Sequence, residues 1–221
     1  SRPGRQCELR QTSATKKSKT GQRGIISCFA FAPDYTGLFA AGSYNGCTGL
    51  YVENSKDLIC LLGGHTGGVT QCAFSHDALY LFTAARRDGA IHCWDVRNTC
   101  QILATFERAC TTNQRIGFGL SADSRALISA SQDGRVLAFD VTQPLEPPVT
   151  WLTCADATNE AALHPSQPLL AVAVGERRFP LPTGGGGSAY EGGEPPAGAE
   201  PEDAEAGQNG LTVWQIPQGR Q

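Results

Sequence analysis

Four histidines, nine cysteines and one glycine-rich stretch are the residues of this chain that could do chemistry, and their spacing argues against most of it. His65, His76, His92 and His164 show none of the short intervals that gather imidazoles round a metal ion. His92 and Cys93 adjoin within a strand-like run, so they project to opposite sheet faces and cannot pair as base and nucleophile. The segment LLGGHTGGVT at 61–70 lacks the Gly-Lys-Ser/Thr ending with which a glycine-rich loop cradles phosphate. The cysteines, at 7, 28, 47, 60, 72, 93, 100, 110 and 154, form no Cys-x-x-Cys pair. An odd, scattered set reads as reduced thiols of the nucleus or cytosol. These residue types predict no enzyme, metal site, cofactor or small-molecule substrate.

Recognition chemistry is better represented. Thr111, Thr112, Asn113, Gln114 and Arg115 place hydroxyls and amides beside a cation, and Arg86-Arg87 and Arg177-Arg178-Phe179 add guanidinium pairs and a ring. Single-stranded RNA is gripped through its phosphates and by stacking of bases on aromatic or guanidinium planes. Amides at Asn113 and Gln114 suit base edges, and the arginines suit phosphate. The bland alternative is that Thr-Thr-Asn-Gln-Arg only closes a loop, since Asn and Thr are common turn formers.

The elements that must position these groups repeat. Short apolar runs meet Asn45-Gly46, Asp88-Gly89, Asp133-Gly134 and Asn209-Gly210, then lead to Tyr51, Trp94, Phe139 and Trp214. A second landmark, Phe31, Phe74, Leu120 and Leu163, recurs at intervals of 43, 46 and 43 residues. Such a period marks a repeat architecture, and about 40–45 residues is the interval of WD-type propeller blades. Asn-Gly and Asp-Gly pairs predict two-residue type I′ hairpin turns. Strands are predicted near 25–32, 37–44, 46–52 and 57–62; 68–75, 79–85, 89–95 and 100–106; 113–120, 126–131, 134–140 and 149–153; and 157–163, 169–174 and 210–216. The expected organisation is the outer strand of a preceding blade at Cys7 to Thr12 with a basic linker in 1–24, blades at 25–62, 63–106, 107–153 and 154–216, and a tail at 217–221.

The fold class is thus all-β, about four blades of a WD-repeat propeller whose usual ring has seven. The HCWD run ending at Asp95, with Gly64-His65 upstream, resembles the signature pair of that repeat. The resemblance implies that His65 bonds Asp88 and that Thr83 and the Trp94 indole complete the chain, a network that fixes the blade. Thr83 precedes Asp88 by five residues, whereas Ser129 precedes Asp133 by four. Four blades of seven leave two open ends, and the lack of any Met suggests a part of a larger protein. No segment reads as a signal peptide or membrane span.

Residues 184–207 are mostly Gly, Ala and Pro with six acids and are expected to be a disordered acidic loop inside the last blade. Setting those acids aside leaves 18 basic residues against 15 acidic, so the formal charge of −3 conceals a basic folded part. In a propeller, one end is expected to carry Lys16, Lys17, Lys19, Arg23, Arg86, Arg87, Arg115, Arg135, Arg177 and Arg178. The other end collects Asp34, Glu53, Asp57, Asp77, Asp95, Asp123, Asp140 and Glu146. One basic end suits a polyanion.

Five segments carry a closer resemblance: RPGRQCELR (2–10), GIISCFAF (24–31), LLGGHTGGVT (61–70), TTNQRIGF (111–118) and LHPSQPLLAVAVGERRFPLPT (163–183). They are similar to the telomerase Cajal body proteins, WD-repeat RNA-binding propellers, in the C-terminal half of the ring. The resemblance implies recognition of a loop element in H/ACA-type small Cajal-body RNAs and telomerase RNA. It also implies contact with the H/ACA core that includes dyskerin, association with telomerase, and delivery to Cajal bodies and telomeres in the nucleus. A protein-interaction scaffold whose basic end meets an acidic partner is the alternative.

Overall fold

The computed structural model describes residues 21–53, 58–98, 101–176 and 209–216. Among the described residues there are fifteen strands and no helix. The first sheet holds β1 (Ile26–Phe31), β2 (Leu38–Ser43), β3 (Thr48–Val52) and β4 (Leu58–Leu62). The second holds β5 (Val69–Phe74), β6 (Tyr80–Ala85), β7 (Ala90–Asp95) and β8 (Ile102–Glu107). The third holds β9 (Phe118–Leu120), β10 (Ala126–Ala130), β11 (Arg135–Asp140) and β12 (Val149–Thr153). In the fourth, β14 (Leu169–Val174) pairs with β13 (Thr158–Leu163) on one side and β15 (Gly210–Gln215) on the other. Every sheet is an antiparallel meander in chain order. The all-β propeller expectation holds. Residues 7–12, residues 184–207 and Arg177, Arg178 and Phe179 lie outside the described residues.

Apolar side chains set the order of the sheets. β5 packs on β1 and β2, and β13 packs on β9, β10 and β11. Gln71 joins β5 to β9 by donating to Phe118 O at 2.6 Å and accepting from Phe118 N at 3.0 Å. The three larger buried clusters each straddle a seam between sheets. Leu50 and Leu62 meet Leu81 and Trp94; Phe82, Ile91 and Phe106 meet Phe118, Leu127 and Phe139; Ile128 and Val136 meet Leu170 and Val172. The core is therefore divided among the seams, the arrangement in which a stack of half-apolar sheets removes both faces from water.

Two expectations are corrected. Asn45, Asp88 and Asp133 do not take positive φ, so the turns are not type I′. Gly46 N bonds Ser43 O and Gly134 N bonds Ser131 O, each at 3.1 Å, with only the glycine left-handed (φ 78° and 82°). These are type I turns closed by a glycine bulge. The second blade fits one more residue between Thr83 and Asp88, and there Arg87 takes the left-handed conformation at φ 55°. The strand predicted at 113–120 shrinks to Phe118–Leu120 because the preceding backbone is engaged otherwise. Thr111 N and Thr112 N donate to Gln132 Oε1, and Gly117 N donates to Asn159 O.

Candidate nucleic-acid interface

The turns after β2 and β6 and the loops entering the second and third blades converge at one end. Arg86 N bonds Gly68 O and Arg87 N bonds Thr112 O, both at 3.0 Å, so each arginine backbone is stitched to an entering loop. A Cβ on Gly67 would overlap Arg86 O, and one on Gly68 would sit 2.8 Å from the Tyr44 backbone, so the close approach requires glycines. The Arg86 guanidinium lies 4.5 Å from the centroid of the exposed Tyr44 ring. Arg86, Tyr44, Asn113, Arg115, Phe29, Gln71 and both Cys28 and Cys72 line a cleft of about 430 Å³. An adjoining hollow of about 490 Å³ runs from Tyr44 past Thr66, Arg86 and Arg87 to Asn113. Neither is lined by a carboxylate.

The Thr-Thr-Asn-Gln-Arg loop divides into two kinds of residue. Thr111 and Thr112 are held on Gln132, Thr112 Oγ1 accepts from Gln114 N, and the Gln114 amide donates to Asn159 Oδ1 at 2.5 Å. Arg115 pairs with Glu160 at 3.1 Å, both partners half-exposed. Asn113 is exposed and faces both hollows. The structure thus brings Arg86, Arg87, Asn113 and Arg115 together, whereas Thr111, Thr112 and Gln114 hold the loop. Tyr44 was missed by sequence reasoning, although its place directly before Asn45-Gly46, level with the arginines before Asp88-Gly89, was a usable signal.

This end is less basic than sequence suggests. Glu107, Asp133, Asp156, Glu160 and Glu176 stand there too, and Arg135 is paired with Asp133 at 2.5 Å. No ion pair among the described residues engages Arg86 or Arg87. At the opposite end Arg97 and Arg125 join the acids, and the aspartates have local work. Asp77 accepts from Ser75 Oγ and Leu79 N, and Asp123 from Ser121 Oγ and Arg125 N. Those bonds, led by the serine hydroxyls, hold both carboxyls below the usual range.

His65, Thr83, Asp88 and Trp94 form one chain beneath the hollow. His65 Nδ1 lies 3.1 Å from Asp88 Oδ2, His65 Nε2 lies 2.9 Å from Thr83 Oγ1, and Trp94 Nε1 donates to Thr83 Oγ1 at 3.0 Å. With Asp88 ionised, Nδ1–H donates to it and Nε2 accepts the threonine proton, which satisfies every member. The His65 and Asp88 side chains are only 3% and 9% exposed. Burial, reinforced by neighbouring His92, holds the His65 imidazole below its usual range. Burial alone would raise Asp88, but bonds from Ala90 N, Thr66 N and His65 outweigh it and leave the carboxyl low.

The meandering sheets, the seams between them and this His–Asp–Thr–Trp chain define a WD-repeat β-propeller segment. Residues 56–95 match the family of the WD domain, G-beta repeat. The chain's relatives include proteins named telomerase Cajal body protein 1. It is 45% identical to the mouse (Mus musculus) protein over 192 residues, 84% of this chain and 35% of that protein. To the human (Homo sapiens) protein it is 44% identical over 199 residues, 88% of this chain and 36% of that one. A Drosophila melanogaster telomerase Cajal body protein 1 homolog matches 81% of the chain at 34% identity, over 32% of its own length. The chain thus spans about a third of the length of the curated relatives it matches.

Proposed function

We propose that this chain supplies part of the RNA-contacting surface of a non-enzymatic propeller that recognises a loop element of H/ACA-type small Cajal-body RNAs and telomerase RNA. The names of its relatives support a place in Cajal bodies and with telomerase in the nucleus. On this reading the protein escorts the ribonucleoprotein, with its dyskerin-containing core, to Cajal bodies and telomeres. The observation that carries the reading is the Arg86 guanidinium lying over the Tyr44 ring at the lip of a cleft without carboxylates. A base can stack on that cation–aromatic pair while Arg87 meets phosphate and Asn113 reads a base edge. Arg115, tied to Glu160, orients the loop or exchanges its partner for phosphate. Arg177, Arg178 and Phe179 are proposed to extend the same surface.

The test is a binding titration of the full chain against a guide-RNA hairpin and a loop mutant at several salt concentrations. Substituting Arg86 and Arg87 with Ala is expected to weaken binding and flatten the salt dependence by roughly 0.7 log units per lost phosphate contact. Asn113→Ala is expected to narrow the preference for the correct loop over the mutant without changing the slope. A well-folded double-arginine variant with unchanged affinity and slope would remove this face from the RNA path. The second reading, a scaffold for an acidic protein partner, would use the same Arg86 and Arg87, which no ion pair among the described residues engages. It predicts binding without preference between the two hairpins.

A further inference from the structure

Cys28 on β1 and Cys72 on β5 face each other across the seam between the first two sheets, with their sulfurs 3.6 Å apart. Both line the cleft that carries Arg86, Asn113 and Arg115. Gly42 makes room for the pair, since a Cβ there would stand 2.5 Å from Cys28 Sγ and 3.2 Å from Cys72 Sγ. The strands are already tied at this level, because Ser27 Oγ reaches Val69 O at 2.5 Å and Gly42 O at 3.1 Å. A disulfide needs its sulfurs at about 2.05 Å. The seam therefore holds two thiols one short side-chain movement from bonding, at the wall of an open cleft.

We propose that Cys28 and Cys72 are a reversible dithiol–disulfide site, oxidised by a small disulfide such as glutathione disulfide that enters the cleft. Cys28, half-exposed, is the attacking sulfur, and Cys72, buried behind it, resolves the intermediate. The Cys28 thiolate attacks one sulfur of glutathione disulfide, forming a mixed disulfide and releasing one glutathione, which takes up the Cys28 proton. Cys72 then attacks the Cys28 sulfur, breaking the mixed bond and releasing the second glutathione with the Cys72 proton. Two thiols lose two electrons and one glutathione disulfide becomes two glutathiones.

The electrostatics agree with this division. The Cys72 thiol as hydrogen-bond donor, then Ser27, Gly42 N–H and the charge of Arg115, outweigh burial and hold the Cys28 thiol below its usual range. Its bond to Cys28 and its burial push Cys72 well up. A nucleophilic thiolate beside a cation, with a thiol behind it, is the arrangement that makes one sulfur of a pair reactive. The product locks β1 to β5 and removes a thiolate from beside Arg115. Any effect on affinity rests on the RNA reading above, whereas the bond itself does not.

The full chain is equilibrated in glutathione buffers from reducing to oxidising, quenched by alkylation, digested and mapped by mass spectrometry. The expected product is a peptide pair joined through Cys28 and Cys72. It should rise from under a tenth to over nine-tenths occupancy across a roughly hundred-fold change in the buffer ratio, as a two-electron couple does, and vanish in reducing buffer. It should be absent from C28S and C72S and kept in C93S, since burial pushes the Cys93 thiol of the parent up to about 12 and so keeps it out of the exchange. Intact-mass measurement of the unaltered chain, showing loss of two hydrogens, reads the same bond without any variant. Both cysteines alkylated at every ratio would overturn the proposal. So would a disulfide mapped to another pair, or a glutathione adduct at Cys28 that Cys72 never displaces.

Discussion

A single socket, filled differently in each of the first three sheets, organises the polar interior at the residue scale. In register, Ala41, Thr83 and Ser129 are equivalent, and so are Tyr51, Trp94 and Phe139. His65 fills the socket in the second sheet. In the first, buried Gln22 donates to Ala41 O at 2.6 Å and accepts from Tyr51 Oη at 2.8 Å. In the third, buried Arg108 donates to Ser129 Oγ at 3.0 Å and to the carbonyls of Gly117 and Ile116 at 3.0 and 2.7 Å. Burial pushes its guanidinium down to about 10, which still leaves it charged at neutral pH. Arg108→Met takes the donor from Ile116 O, while Gly117 O keeps its bond from Ala130 N, and a loss of about 1–3 kcal/mol in urea unfolding is expected from the buried acceptor left unpaired. His65→Ala or Asp88→Ala is expected to cost about 1–3 kcal/mol for the same reason, and a variant that melts like the parent but loses RNA binding would reassign these residues to binding. Because the folded-state imidazole of His65 is depressed, the unfolded chain binds the extra proton first on acidification. That contribution is complete above the unfolded value near 6.5 and is lost as pH falls from there through the lowered folded value. Melting curves should show this decline in the parent and a flatter one in His65→Gln.

Turn geometry governs the next scale, the element. Gly134 is left-handed at φ 82°, and a Cβ there would overlap Cys154 O, whereas a Cβ on Gly63 meets nothing within 4 Å. Gly134→Ala is expected to destabilise by about 1–2 kcal/mol, the left-handed penalty for a residue with a Cβ. Gly63→Ala should be near neutral. Equal melting temperatures for the two variants would show that the bulge does not hold the third blade's hairpin. Fourteen of the fifteen strands lie within two residues of their predicted ends, because apolar alternation and turn residues are local signals. The exception, β9, was misread because its loop is set by Gln132 and Asn159, 20 residues or more downstream, which no local pattern reports. The same limit hid most of the site. Arginine pairs are visible in sequence, but the stacking of Arg86 on Tyr44 and the apposition of Cys28 and Cys72 arise from sheets packing on one another.

At the scale of the whole molecule, burial is uneven in a directed way. Every seam between sheets is closed by large apolar side chains, yet the outer face of the first sheet shows Phe29 and Phe31 at 62% and 70% exposure. Leu211 and Val213 on β15 are 72% and 63% exposed, and β15 pairs only with β14 among the described strands. Phe29 and Phe31 are two apart on one strand and so share a face, on which Phe31 continues into the ring of Phe39 at 5.6 Å. Contiguous apolar surface of this kind, in a molecule whose edge strand has one partner among the described strands, is ordinarily covered by another sheet or another molecule. In a solution of this 221-residue chain alone the available cover is a second copy. Sedimentation velocity should therefore show association that grows with concentration. The combined F31K, L211K and V213K variant, which leaves the cleft-lining Phe29 in place, should stay monomeric while keeping the melting transition of the second and third sheets, whose core residues lie in other seams. Association that persists undiminished in that variant would move the contact to the turn-bearing end. The cleft beside Tyr44 would then be a protein interface, and the RNA titration should fail with it.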